Sequence, residues 1–490
     1  MNRQFIRYAV SSVIAIEAMF LVAISFVSVI YSENVFFPYF ITGFLFGALA
    51  YIGVRKKPES NIFFAREGFL AVSLSWVAMS LIGAIPIVLT GEVPNYIDAL
   101  FEVVSGFTTT GSTIINDVEA LSHTTLLWRS FTHWIGGMGI LVFALTILPN
   151  AGGSGIHIMR AESPGPSVGK LVAKLSDTAK ILYAIYIGLT ALEVVALLLC
   201  KMPFFDSFTL SLATAGTGGF GILNDSFVSY SSSAQIVATV FMLLFGVNFN
   251  VYYFLLAGNI KDALKCEEMR WYFGIVTVAA VLIAFNTLNI FGNIFTALKH
   301  GFFQVASVIT TTGFASYDFN TWPTFSKTIL ETLMFVGACA GSTGGGIKVS
   351  RIVILIKDMK NSLHHQAHRR EVRVVKFEGK TVDREIVESI KSYLGFFAIM
   401  YVVSFLLISL NDFDFTTNFS AVTAAINNIG PGLNLVGPMN NFSIFNWFSK
   451  LVLIIDMLAG RLELIPILML LSEIPTLKKV FNEKREEFTE

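Results

Sequence analysis

The chain has 490 residues, of which 54% are hydrophobic and only 14% charged, with a mean hydropathy of +0.68. That excludes an ordinary soluble globular domain, in which about a quarter of residues are charged. The 34 basic and 34 acidic side chains balance, so there is no bulk signal for nucleic acid, and three scattered cysteines without a C-x-x-C suggest neither a disulfide framework nor a zinc site. What remains is a polytopic protein of the lipid bilayer.

In chain order, apolar runs at about 6–32 and 35–53 form a first helical pair, closed by the basic turn "RKKPES". The first run is longer than the roughly 7–15 apolar residues of a signal peptide and has no small-residue cleavage site, so a retained helix is expected. A repeating unit follows. It opens with a long helix at about 65–90, continues with the half-apolar segment "NYIDALFEVVSGF" and the loop "TTTGST", and closes with a second long helix at about 122–149. The same order recurs with long helices near 180–200 and 234–257, 271–291 and 326–356, then 391–410 and 444–472. The short segments between them are below the roughly 20 residues a span needs, and they end in "LATAGTGGFGI", "SVITTTGFASY" and "AAINNIGPGLN". The expected fold is therefore all-α, with four helix–pore-loop–helix repeats about a pseudo-fourfold pore and two extra N-terminal transmembrane helices. The boundaries fall at residues 1–60 for the N-terminal pair, then 61–155, 156–262, 263–375 and 376–490 for the repeats.

Charge placement gives the sidedness. The intervals 92–121, 202–233, 286–325 and 411–443, which hold the loops, lack Lys and Arg except for Lys299. The stretches between repeats carry Arg160, Lys170, Lys174 and Lys180, then Lys261, Lys265 and Arg270, then Arg369, Arg370, Arg373, Lys376, Lys380 and Arg384. Positive residues mark the cytoplasmic side, so the loops are expected to enter from outside and both termini to be cytoplasmic. Irregular backbone at membrane depth must be buried in protein or line a watery cavity. Half-helices entering from outside would aim their partially negative C-terminal ends at the bilayer centre, which favours a cation. Glycine and threonine suit a loop whose backbone carbonyls replace a cation's hydration shell, and on that reading Thr310–Gly313 is one quarter of a cation filter. Small residues that pack helices together are the plainer explanation of any single loop.

These repeats, with the loops "TTTGS", "GTGGF", "TTTGF" and "NNIGPGL", resemble the Trk/Ktr/HKT superfamily of cation transporters, and within it the TrkH-type potassium-uptake subunits of bacteria. The resemblance implies potassium uptake across the bacterial inner membrane, with K+ as the transported ion and no covalent cofactor. It implies a filter of Thr110 and Gly111, Thr312 and Gly313, and Ile429 and Gly430. In the second loop, matching "TG" selects Thr217 with Gly218, whereas matching "GF" selects Gly219. Serine at the first filter glycine accompanies sodium transport in some members, and Gly111 here leans toward potassium. The resemblance also implies a homodimer and a cytosolic nucleotide-binding regulatory subunit of the TrkA type, for which the basic linkers offer a docking surface.

The second long helix of repeat three contains "GACAGSTGGGIK". Each glycine costs a helix roughly 1 kcal/mol relative to alanine, so a break is expected, with close packing of small residues as the alternative. Ile347 interrupts any phosphate-loop reading of this stretch. By resemblance, Ala338 to Gly346, including Gly341, Ser342, Thr343, Gly344 and Gly345, form an intramembrane gate. Arg461 sits in "LIIDMLAGRLELIPIL" with Met457, Leu458, Leu464 and Ile465 as its helical neighbours. A charge at this depth is costly, and the resemblance makes it a positive barrier beneath the filter; Asp456 and Glu463 are expected to face other helices. His364, His365 and His368 are read as a solvated face, and His133 is left without a role. The rival readings are a sodium or unselective pathway of the same fold and a small-solute secondary transporter. An intramembrane enzyme would need a catalytic constellation that the spans do not offer, so no enzymatic activity is expected.

Overall fold

The computed structural model describes residues 2–59, 64–137, 139, 175–368, 370–371 and 373–472. The basic residues Arg160, Lys170, Lys174 and Arg369, and the far half of the second helix of repeat one, lie outside the described residues. The described residues are all-α apart from one hairpin of two two-residue strands. Helices α1 (Arg3–Ile30) and α2 (Phe36–Arg55) pack against each other and against α3 (Ala65–Thr90). Repeat one continues with α4 (Tyr96–Phe107) and α5 (His123–Gly137). Repeat two has α6 (Leu175–Leu199), α7 (Phe204–Gly216), α8 (Ser232–Phe245) and α9 (Phe249–Leu256), followed by a short α10 (Ile260–Lys265). Repeat three has α11 (Glu267–Asn286), α12 (Leu288–Phe291), α13 (Ile294–Ile309), α14 (Thr324–Val336) and α15 (Val349–Ala367). After strands β1 (Lys376–Phe377) and β2 (Lys380–Thr381), repeat four has α16 (Arg384–Ile408), α17 (Phe415–Ile426), α18 (Trp447–Arg461) and α19 (Ile465–Ser472).

Six described helices are long and apolar enough to cross a bilayer, namely α1, α2, α3, α6, α11 and α16. The four half-helices α4, α7, α13 and α17 have 12, 13, 16 and 12 residues. At 1.5 Å per residue they reach roughly 18–24 Å, short of a hydrocarbon core of about 30 Å. Their starts are set locally. The side chains of Asn95, Asn293 and Asp414 cap α4, α13 and α17 by accepting from Ile97 N, Phe295 N and Thr417 N, and Pro203 precedes α7.

The sequence suggested a break in one second helix, but among the described residues three of them break. α8 and α9 meet at 92° across Gly246–Asn248. α14 and α15 are separated by residues 337–348, and α18 stops at Arg461, three residues before α19. Close approach is the physical reason. A Cβ on Gly246 would come within 2.8 Å of Thr310 Cγ2, and one on Gly460 within 2.0 Å of the Ile426 carbonyl. These second helices therefore press on the ends of the half-helices, where a continuous, fully substituted helix would clash.

The repeats close into a ring. α5 packs on α7, α8 on α13, α14 on α17 and α18 on α4, so each second helix contacts the next repeat's half-helix. The last contact includes a half-buried ion pair, Lys450 to Asp98 at 2.6 Å. Among the histidines left as a solvated face, His364 pairs with Glu371 at 2.7 Å and stacks on His368.

Candidate functional site

Each half-helix ends in the same way. Thr109, Thr217, Thr311 and Asn428 adopt left-handed backbone, with φ of 56°, 56°, 59° and 55°. Their N–H groups bond three residues back, to Gly106, Thr214, Val308 and Ala425. The N–H groups of the next residues, Thr110, Gly218, Thr312 and Ile429, bond five back, to Ser105, Ala213, Ser307 and Ala424, at 2.8–2.9 Å. This is the Schellman closure of a helix, normally made with glycine. Threonine there is uncommon and strained by on the order of 1–3 kcal/mol, and such strain persists only where the surroundings over-determine it.

One residue further, Gly111, Gly219, Gly313 and Gly430 all have φ between 79° and 101°. Their environment explains why no side chain fits. A Cβ on Gly111 would meet the Gly218 carbonyl oxygen at 1.9 Å, one on Gly219 the Thr312 oxygen at 1.8 Å, one on Gly313 the Ile429 oxygen at 2.2 Å, and one on Gly430 the Thr110 oxygen at 2.9 Å. Four glycines and four carbonyls thus follow one another in a closed cycle. The open register of loop two resolves to Gly219, which shares its backbone state with the other three glycines. Gly218 shares the position of Thr110, Thr312 and Ile429, and Thr217 falls one place earlier, beside Thr109, Thr311 and Asn428. "GTGG" departs from "TTTG" for a steric reason: a Cβ on Gly218 would lie 2.0 Å from the His133 ring.

The four glycines also line one cavity at the mouth of the ring, together with Ser112, Asn116, Asn224, Pro431, Asn441 and others; among the described residues that line it, Arg129 is the charged one. Loops one and three are braced identically, by hydroxyl pairs Thr108–Thr110 at 2.8 Å and Thr310–Thr312 at 2.7 Å. Loop four substitutes an amide. Asn428 Nδ2 donates to Thr110 Oγ1 at 3.0 Å and to the Met457 carbonyl at 2.9 Å, so the pore departs from fourfold symmetry there.

Directly against loops three and four lies the segment 337–348. Gly345 N donates to Thr311 Oγ1 at 2.6 Å, and a Cβ on Gly344 or Gly345 would come within 2.9 Å of the Thr310 oxygen or 2.7 Å of the Asn427 oxygen. On its other side the segment rests on the α8–α9 bend. Cys339 N bonds to the Gly246 oxygen at 3.1 Å, Thr343 Oγ1 to the Phe245 oxygen at 3.2 Å, and Phe249 N to the Gly341 oxygen at 3.0 Å. Two charged residues that the sequence did not single out hold it. The Glu268 carboxylate accepts Ala340 N at 2.7 Å and Ser350 N at 3.0 Å, tying both ends together, and the buried Lys348 donates to the Gly344 carbonyl. Lys348 stands two residues past the last glycine of the run, separated from it by Ile347, a position whose charge is legible in the sequence.

Arg461 is not mid-helix, as its helical neighbours in the sequence implied, but the last residue of α18. The helix stops because Glu463 and Leu464 take left-handed φ of 57° and 67°. Its guanidinium donates to the Thr343 carbonyl at 2.9 Å and to the Gly136 and Gly137 carbonyls at 2.5 and 2.9 Å, joining the segment to the end of α5. Asp456 accepts from Ser404 at 2.6 Å, and Glu463 pairs with Arg351 at 2.7 Å, so both face other helices.

The ends of four half-helices thus bring four backbone carbonyls and four glycines together in one ring. The family model described as TrkH, cation transport protein, matches residues 32–480. The chain is 37% identical over 428 residues to the Trk system potassium uptake protein TrkH of Salmonella typhimurium, covering 85% of this chain and 87% of the relative. It is 34% identical over 477 residues to the protein of that name from Vibrio parahaemolyticus, covering 94% and 97%. The crystal structure of the potassium transporter TrkH from Vibrio parahaemolyticus superposes with a TM-score of 0.86 at 30% identity, covering 97% of this chain and 100% of that one. The chain is a multi-pass membrane protein that belongs to the TrkH family of cation transport proteins.

Proposed function

We propose that this protein takes up potassium across the bacterial inner membrane through a single filter. The filter is built from Thr110–Gly111, Gly218–Gly219, Thr312–Gly313 and Ile429–Gly430. The observation that carries the reading is the closed cycle in which each ring glycine packs on the next loop's carbonyl. Carbonyl rings are able to replace the hydration shell of a monovalent cation, and the partially negative ends of α4, α7, α13 and α17 add to the attraction. The side-chain oxygens of Thr109 (Oγ1) and Asn428 (Oδ1) are buried without a partner among the described residues, and buried oxygens of that kind call for a cation or water. The relatives' names, Trk system potassium uptake, favour potassium.

Residues 338–346 are the gate, because they press on loops three and four, and Arg461 latches them to α5 while presenting a positive charge near the pathway. The ring mouth faces outward and the basic linkers face the cytoplasm, where a nucleotide-binding regulatory subunit of the TrkA type docks on a homodimer. Growth on limiting potassium of a cell without its own uptake systems tests this. Wild-type protein with its regulatory partner should rescue growth, and Gly313→Ser should lose preference for K+ over Na+. Absence of rescue, or a Gly313→Ser protein with unchanged preference, overturns the filter.

A further inference from the structure

Behind loops one and two stands a charged brace with no counterpart among the described residues of the other repeats. Helix α5 carries Arg129 and His133 one turn apart, so both side chains project from one face. His133 is fully buried between the Gly106 carbonyl, 2.9 Å from Nδ1, and the Phe220 N–H, 3.3 Å from Nε2. A carbonyl only accepts and an amide N–H only donates, so the ring is neutral with its proton on Nδ1. Arg129 donates to the Glu102 carboxylate at 2.8 Å, to the Gly221 carbonyl at 3.3 Å and to the Thr113 hydroxyl at 3.4 Å, with Phe220 stacked 4.1 Å below its guanidinium. Glu102, fully buried, accepts the Thr113 hydroxyl and Ile114 N, both at 3.0 Å.

Thr113 and Gly221 lie two residues beyond Gly111 and Gly219, and Phe220 follows Gly219 directly. The brace therefore grips the outgoing backbone of two adjacent filter loops at once. Counting back equally from the other ring glycines gives Leu210, Gln304 and Ala421 in place of Glu102, so the charged pair belongs to repeat one alone. Arg129 is also the charged residue that lines the mouth. Without Glu102 beside it, its fixed positive charge would oppose an entering cation.

We infer that Glu102 and Arg129, together with His133, are specificity-determining positioning residues: they set the spacing of the Thr110 and Gly218 carbonyls and neutralise the mouth. The inference rests on the proposed filter. A ring of carbonyls discriminates by the number and field of its oxygens, so releasing one side of the ring changes which cation it prefers, beyond any change in how much protein folds.

The test is K+, Rb+ and Na+ flux into liposomes holding the full-length protein. Thermal melting of the detergent-solubilised protein separately checks its fold. Glu102→Gln should raise the KM for K+ about tenfold or more and lower the K+/Na+ ratio similarly. Arg129→Lys keeps the charge but loses the planar fork; it should lower the ratio with a smaller change in KM, and it also serves if Glu102→Gln does not accumulate. Glu102→Gln with Arg129→Gln removes both charges, so KM should return toward wild type while the ratio stays low. Wild-type ratios in both Glu102→Gln and Arg129→Lys overturn the brace. Gly313→Ser measured alongside separates the two failures. If it loses preference while the brace variants keep theirs, only the brace fails; if it too keeps the ratio, the filter reading fails.

Discussion

Gly218 and Gly219 sit side by side and are glycine for different reasons. Gly219 has φ of 79° and faces the Thr312 carbonyl, so a side chain there is strained and also collides with backbone that cannot yield. Gly218 lacks the positive φ, and its constraint is the ring of His133. The two substitutions should therefore behave differently in cation-uptake assays. Gly219→Ala is expected to abolish uptake, with or without a change at His133. Gly218→Ala should lose most uptake, and His133→Ala in the same chain should restore measurable flux, though not full selectivity. Equal failure of the single and double Gly218 variants would mean that something other than the ring sets this position. Sequence alone offered both glycines, because letter matching cannot see a histidine brought in from a helix more than eighty residues earlier.

At the scale of elements, the second helices decide how the site is held. Their breaks let residues 337–348 lie between loops three and four and the α8–α9 bend, and two charged side chains clamp the result. Glu268 satisfies the Ala340 and Ser350 N–H groups together. Leaving buried donors unsatisfied costs about 1–3 kcal/mol each, a penalty borne mainly by the packed arrangement of the segment. Glu268→Leu should therefore shift the segment toward an unpacked state, and Arg461→Gln, which removes the positive charge bridging Thr343 to α5, should do the same. In liposomes without a regulatory partner, both variants are expected to pass K+ several-fold faster than wild type. Flux at or below the wild-type level in both would argue that this segment is not the gate.

For the whole molecule, closure of the ring is the organising fact. Of the four contacts between a second helix and the next half-helix, three join repeats adjacent in the chain, whereas α18 on α4 joins the last to the first and carries the Lys450–Asp98 pair. The pair is partly exposed, with side-chain accessibilities of 8% and 25%, so its loss should cost less than the roughly 3–5 kcal/mol of a fully buried pair and more than an exposed one. Asp98→Asn should lower the melting temperature of the solubilised protein by an amount equivalent to about 1–3 kcal/mol. Exchanging the two charges, Asp98→Lys with Lys450→Asp, should recover part of it. An unchanged melting temperature in Asp98→Asn would show that apolar packing alone closes the ring.

Hydropathy, spacing and charge placement by themselves determined that this is a multi-span protein of four similar units with short half-helices and glycine-bearing loops. Those features are local: span length, end caps and turn residues act within a few positions of one another. The glycine-rich break in repeat three was legible for the same reason, since several poor helix formers in succession weaken a helix wherever it stands. Only the tertiary structure decided the register of loop two, the breaks at Gly246 and after Arg461, and the partners of Arg461, Glu268 and His133. Each of these depends on what another repeat brings to within a few ångströms. The cyclic packing of glycine on carbonyl belongs to that second class, because a closed ring is a relation among four segments and no single segment encodes it.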